Sequence, residues 1–410
     1  MQMTNRHAYI DWLRIIAIMG VLFFHSAMPF VAEWDWHIKN KETSNLFLEF
    51  NFFLSRFRMP LLFFISGAVT HVMLQKRSAG QFIGLRFRRL FIPLLFGVLL
   101  IVPVQVYMER VNQGFKGNFF DFYPTIFSTG SYPAGNFSWH HLWFIAYLFV
   151  YDVLLAPLFK WIVSKRPAEK FFQKISKGKR IYLIMIPSVI VFSSTVLIFP
   201  ETHDLINDWC WIFYWLFFLI AGFLCMHLPA MMESLERNRR LSLTIGISTI
   251  LFINYLRWNQ VEPADLFTDY ENQWQTYIYL ASIAVTAWSW VFAAVGYGKK
   301  YLDKKHPILN YLNSAVYPFY ILHQTVIVVV VFYIVQTSDE ILSKYLFTVI
   351  TTFLICMAIY HVFIRPFAIM RFLFGTKKEK IEKRDKQNVK PIITEQFNSI
   401  SEVPQTTSPA

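Results

Sequence analysis

The chain has 410 residues, 55% hydrophobic, 19% aromatic and 16% charged, with a formal net charge of +13. That balance excludes a soluble protein and fits a polytopic membrane protein. The three cysteines, Cys210, Cys225 and Cys356, fall in apolar stretches with no zinc or disulfide spacing, so no metal site is expected.

The first apolar stretch, Tyr9 to Phe30, spans a bilayer, for which about 20 residues suffice. No small-residue cleavage site follows it, which predicts a retained helix rather than a signal peptide. It carries Asp11, Arg14 and His25. At about 100° per residue, Arg14 and His25 return to nearly the same face, with Asp11 one turn below Arg14. His25 then lies roughly 16 Å further along the helix than Arg14. Such groups face a bundle interior or a water-filled cavity. The alternative is that Asp11 and Arg14 snorkel at the helix end while His25 bonds a neighbouring helix.

Nine more spans are predicted near Leu46–Leu74, Leu90–Tyr107, Leu142–Val163, Ile181–Phe199, Trp209–His227, Leu241–Trp258, Trp274–Tyr297, Ala315–Val335 and Tyr345–Ile364. Ten helices around a central polar cavity make an all-α membrane fold. The second segment holds Glu49, Arg56 and Arg58, which predicts an interfacial or broken lead-in and a crossing near Phe57 to Leu74. Pro60 lies inside it, and Ser66-Gly67 allows close helix approach. The third opens R-F-R-R-L-F-I-P, placing Arg86 and Arg89, with Arg88 between them, at one mouth of the bundle. They anchor topology or hold an anionic ligand. The longest loop, Glu109 to His141, suits a lid or acceptor platform and ends in W-H-H-L-W-F. There His140 and His141, with Trp139 and Trp143, form an interfacial belt; adjacent histidines diverge on a helix and no third metal ligand is evident. Asp152, Asn254, Arg257 and His361 bond internally on this reading. The ninth segment contains N-S-A-V-Y-P-F-Y-I-L-H, which buries His323 several residues inside the membrane.

Charge sets the expected topology. Alternate segments hold about 29 of the 39 basic residues, which by the positive-inside rule places both termini in the cytoplasm. The same asymmetry accounts for the positive charge without nucleic acid. Residues 1–374 form the membrane domain, and residues 375–410, charged and then rich in Ser, Thr, Gln and Pro, form a disordered cytoplasmic tail. No internal repeat, Gly-rich nucleotide loop or G-x-S-x-G element is present.

Five elements together resemble the membrane acyltransferase family 3 proteins. They are Asp11 with Arg14 and His25 separated by ten residues, F-F-I-S-G at Phe63–Gly67, the R-x-x-R of Arg86 and Arg89, H-L-W-F at His141–Phe144, and Asn313–His323. R-F-R-M before F-F-I-S-G resembles the subgroup that succinylates periplasmic glucans. The resemblance implies transfer of an acetyl or succinyl group from cytoplasmic acyl-CoA, with no bound cofactor. The acceptor it implies is a hydroxyl of an extracytoplasmic or lipid-linked glycan, reached by an enzyme in the inner membrane. Arg86, Arg89 and Arg88 would bind the CoA phosphates, because guanidinium forks suit phosphate. Arg14, oriented by Asp11, would line the channel, and His25 would act as general base or form an acyl-histidine. His323, His141 and Trp143 are the acceptor-side candidates. The rival class is a transporter or flippase for a glycan or organic anion.

Overall fold

Residues 7–376 are described here, in a computed structural model, and their regular structure is helical. Ten helices correspond to the ten predicted segments. They are α1 (Ala8–Ala27), α2 (Asn45–Gln75), α3 (Ala79–Asn112), α4 (Trp143–Lys165), α5 (Ile186–Thr195), α6 (Trp209–His227), α7 (Pro229–Trp258), α8 (Trp274–Tyr301), α9 (Ile308–Ile334) and α10 (Ile341–Ile364). Among the described residues nine are long and apolar enough to cross a membrane; α5 is the exception, against the ten counted from sequence. The reason lies in its first half: Gly178–Met185 winds as a 3₁₀ helix, leaving only ten α-helical residues. A 3₁₀ helix rises about 2.0 Å per residue against about 1.5 Å for an α-helix, so residues 178–195 extend about 31 Å, close to the hydrocarbon thickness. The chain is thus an all-α, polytopic membrane protein. The expected polar tail lies, except for Gly375 and Thr376, outside the described residues.

The layering follows hydropathy. Leu95, Leu154, Ile190, Leu251 and Leu354 are exposed, as lipid-facing positions require, whereas α9, α1 and α2 are largely enclosed. Helix α2 is unbroken over 31 residues, contrary to the expected broken lead-in. Two of its charged residues meet neighbours to the side instead. Glu49 pairs with Arg257 of α7, and the Arg56 guanidinium lies 3.9 Å from the centre of the Phe52 ring.

Helix α3 is continuous but widens twice into π turns, Phe87–Phe91 and Gly97–Ile101. Each ends two residues before a proline, Pro93 or Pro103. A proline inside a helix lacks the N–H and clashes with the carbonyl four residues back; a wider turn relieves both faults. The carbonyl released by Pro103 is that of Leu99, and it accepts from the Tyr123 hydroxyl at 3.1 Å.

Helices α2 and α6 cross at two glycines that meet each other's backbone. A Cβ on Gly67 would stand 1.8 Å from the Leu219 carbonyl oxygen, and one on Gly222 would stand 1.8 Å from that of Phe64. The close approach read from Ser66-Gly67 is therefore realised. Backbone cannot move aside as a side chain does, so Gly67→Ala or Gly222→Ala should cost about 3 kcal/mol, the upper end of overpacking. Gly20→Ala, with open space around it, should cost nothing measurable. Thermal unfolding of the purified variants in detergent checks the contrast.

Candidate active site

Helices α1 and α9 run parallel, joined by two polar rungs. Near their first turns the Arg14 guanidinium donates to Asn313 Oδ1 at 2.5 Å, with Asp11 3.6 Å from Arg14 on its own helix. Eleven residues on, His25 Nδ1 meets His323 Nε2 at 2.8 Å. Asn313 and His323 lie ten positions apart, so both rungs fit helices rising about 1.5 Å per residue. Ile16 and Phe23 mark the outward face of α1. His25, two residues beyond Phe23, points roughly the opposite way, into the protein.

The second rung fixes the protons. His323 Nδ1 lies 2.6 Å from the carbonyl of Tyr320, which only accepts, so that nitrogen carries the hydrogen. His323 Nε2 in the neutral ring then accepts from His25 Nδ1–H. This leaves the lone pair of His25 on Nε2, which has no partner among the described residues and reaches accessible space. His141 packs edge-on against His323 with ring centres 5.0 Å apart, and its Nε2–H donates to the Ile321 carbonyl at 3.1 Å.

An outer layer covers the pair. Trp36, in the loop between α1 and α2, stacks on His25 with ring centres 5.4 Å apart. His37 follows it. Its Nδ1 lies 2.5 Å from Glu109 Oε2 at the end of α3, and its Nε2 meets the Gln324 amide nitrogen at 3.2 Å. The amide donates, so the His37 hydrogen sits on Nδ1 and faces the carboxylate. Tyr132 adds a hydroxyl to Glu109 at 3.2 Å; burial, reinforced by that carboxylate, pushes its phenol up to about 12 and keeps it a donor. Arg110 anchors the loop by donating to Asn136 at 2.9 Å and to the Pro133 and Gly135 carbonyls at 2.9 and 3.0 Å. His140 stands edge-on to both His37 and Tyr132. Neither His37 nor Glu109 was singled out from sequence as a site residue. The available signal was a carboxylate at the outer end of α3 and a histidine flanked by tryptophans after α1.

The remaining candidates lie elsewhere. Trp143 stands beneath His203 of the loop before α6, with ring centres 4.2 Å apart. At the other end of the bundle, Arg86 is buried, its Nε 2.7 Å from Asp152 Oδ2 and a terminal nitrogen donating to Thr70 at 2.9 Å. Thr70 in turn donates to Asp152 at 2.9 Å. Arg88 is exposed and Arg89 half-buried, and neither meets a protein acceptor among the described residues. The R-x-x-R pair is thus divided: one arginine closes a buried triad and the other stays open.

Residues 7–361 match the acyltransferase domain family, and the chain belongs to that family. It is 22% identical to glucans biosynthesis protein C of Salmonella heidelberg strain SL476, over 91% of this chain and 95% of that protein. The protein of the same name from Escherichia coli strain SMS-3-5 is 23% identical, over 93% of this chain and 98% of its own length. No solved structure matches.

The Arg86–Asp152 pair makes its own prediction. Asp152→Leu strands a buried guanidinium and should cost about 3–5 kcal/mol, whereas Arg86→Met with Asp152→Leu should recover most of the loss. Unfolding midpoints of the single and double variants test it.

Proposed function

We propose that this acyltransferase moves an acetyl or succinyl group from cytoplasmic acyl-CoA to a hydroxyl of an extracytoplasmic or lipid-linked glycan. The observation that carries the reading is the fixed proton order from the Tyr320 carbonyl through His323 to His25, which leaves an unpaired, accessible lone pair on His25 Nε2. A neutral imidazole presented in this way is a general base. The relatives named for glucan biosynthesis favour a glycan acceptor.

His25 Nε2 takes the proton from the acceptor hydroxyl as that oxygen bonds to the thioester carbonyl carbon. The carbon–sulfur bond then breaks, and the thiolate leaves with the proton from His25. The products are an ester and free CoA thiol. His323 is a positioning residue that holds His25 in the required tautomer. Arg89 and Arg88 receive the CoA phosphates, while Arg86, tied to Asp152 and Thr70, keeps that mouth in shape. Arg14, braced by Asn313 and Asp11, lines the way from the mouth to the seam. Glu109 and His37, with His141 alongside, form the acceptor side, and the loop carrying Tyr132 covers it. Both termini are cytoplasmic in an inner membrane on this reading. The stretched 178–195 segment supplies the tenth crossing that the basic-residue asymmetry calls for.

His25→Ala should lower turnover by about 10²–10⁴-fold at unchanged abundance. His323→Phe, which removes the acceptor for His25 Nδ1–H, should lower kcat with little change in KM. Arg89→Ala should raise the apparent KM for acyl-CoA by about tenfold or more, the worth of a charged hydrogen bond. Each is read from CoA thiol release matched to ester formed on the glycan. Glycan or anion movement across proteoliposomes without acyl-CoA, and no thiol release with it, would instead establish a transporter.

A further inference from the structure

One cation inside the bundle has no part in the reaction just described. Arg58 of α2 lays its guanidinium carbon 3.5 Å from the centre of the Phe24 ring, the residue before His25. The level is fixed independently, because the Asn51 amide of α2 donates to the Phe24 carbonyl at 3.1 Å. Arg58 lies seven residues, or about 10 Å, beyond Asn51 towards the Arg14 end, and helical side chains tilt back towards the N-terminus. Its charged end therefore reaches up beside Phe24, between Arg14 and His25 along the seam.

No carboxylate or hydrogen-bond acceptor among the described residues pairs with this guanidinium. Its Nε is buried and unpartnered, whereas the two terminal nitrogens reach accessible space. Phe24, on which it rests, stands edge-on to His25 with ring centres 5.4 Å apart. Arg14, Arg86 and Arg257 all have protein acceptors; Arg56, whose Nε is likewise buried and unpartnered, rests on Phe52, away from Phe24 and His25. An unpaired guanidinium at membrane depth is costly, and an anion arriving with the substrate removes that cost. The planar fork suits two oxygens, or one oxygen bearing a full charge.

We propose that Arg58 is the anion receptor of the site, binding a negatively charged oxygen of the acyl group in transfer. The inference rests on the acyl-transfer reading above. Two oxygens have this chemistry. One is the carboxylate at the far end of a dicarboxylic acyl chain such as succinyl. The other is the oxyanion formed when the hydroxyl adds to the thioester: the carbonyl π pair moves onto oxygen as the new C–O bond forms, and returns as the C–S bond breaks.

The experiment compares the full chain with Arg58→Gln, Arg58→Lys and Arg56→Gln, using acetyl-CoA and succinyl-CoA with a soluble glucan. Arg56, stacked on Phe52 on another side of α2, is the control and should leave both rates unchanged. If the carboxylate is the ligand, Arg58→Gln loses succinyl transfer by about 100-fold and keeps acetyl transfer within about threefold. If the oxyanion is the ligand, kcat falls by about 10²–10³ with both donors while KM holds. Rates within about threefold of wild type for both donors overturn the proposal. Where Arg58→Gln does not fold, Arg58→Lys, which keeps the charge but lacks the fork, is read by the same three outcomes. Absence of thiol release from either donor by the unaltered chain overturns the acyl-transfer reading itself, and with it this proposal.

Discussion

The bond between His25 and His323 is the constraint on which the site depends. Each ring alone is a neutral base with two equivalent choices of proton position. Together, with a backbone carbonyl at one end, they have one choice, and the free lone pair falls on His25 Nε2. That ordering holds only if α1 and α9 stay in register, which the Arg14–Asn313 rung enforces one bilayer leaflet away. Two parallel helices with matched spacing thus turn a pair of membrane-buried histidines into a directed array.

The two ends of the bundle treat charge differently. At the arginine-rich mouth, Arg86 is withdrawn into an ion pair with Asp152, while Arg88 and Arg89 stay available. Buried charges persist when geometry and extra hydrogen bonds satisfy them, and Thr70 bridges both members here. At the other end, Glu109 is surrounded by His37, Tyr132 and Arg110. One carboxylate thereby ties the end of α3 to the loop that follows α1 and to the loop that precedes α4. The covering layer over His25 is held by polar contacts rather than by apolar packing alone.

Flexibility in helix geometry places these groups. Helix α3 would be broken by Pro93 and Pro103 if it kept α-helical spacing; its two π turns let it continue. A 3₁₀ stretch, Gly178–Met185, leads into the short helix α5. Gly67 and Gly222 let α2 meet α6 backbone to backbone, which fixes the helix that carries Arg58 and Thr70.

Length, hydropathy and spacing determined that this chain is a helical membrane protein, where nine of the ten expected spans lie, and that Arg14 and His25 share a face. Those properties are periodic along one helix, and periodicity is local. The same reading expected an interfacial or broken lead-in to α2, because Glu49, Arg56 and Arg58 are unsuited to lipid; inside the protein Glu49 pairs with Arg257, while the two arginines lie over Phe52 and Phe24. The partnerships that define the site join positions far apart in the chain: His25 with His323, His37 with Glu109, Arg86 with Asp152. Their existence depends on which helices pack together and at what level, and no local pattern encodes that. Only the tertiary structure decided which histidine keeps a free lone pair, which arginine is locked and which is left open, because proton position and ion pairing are set by neighbours in space.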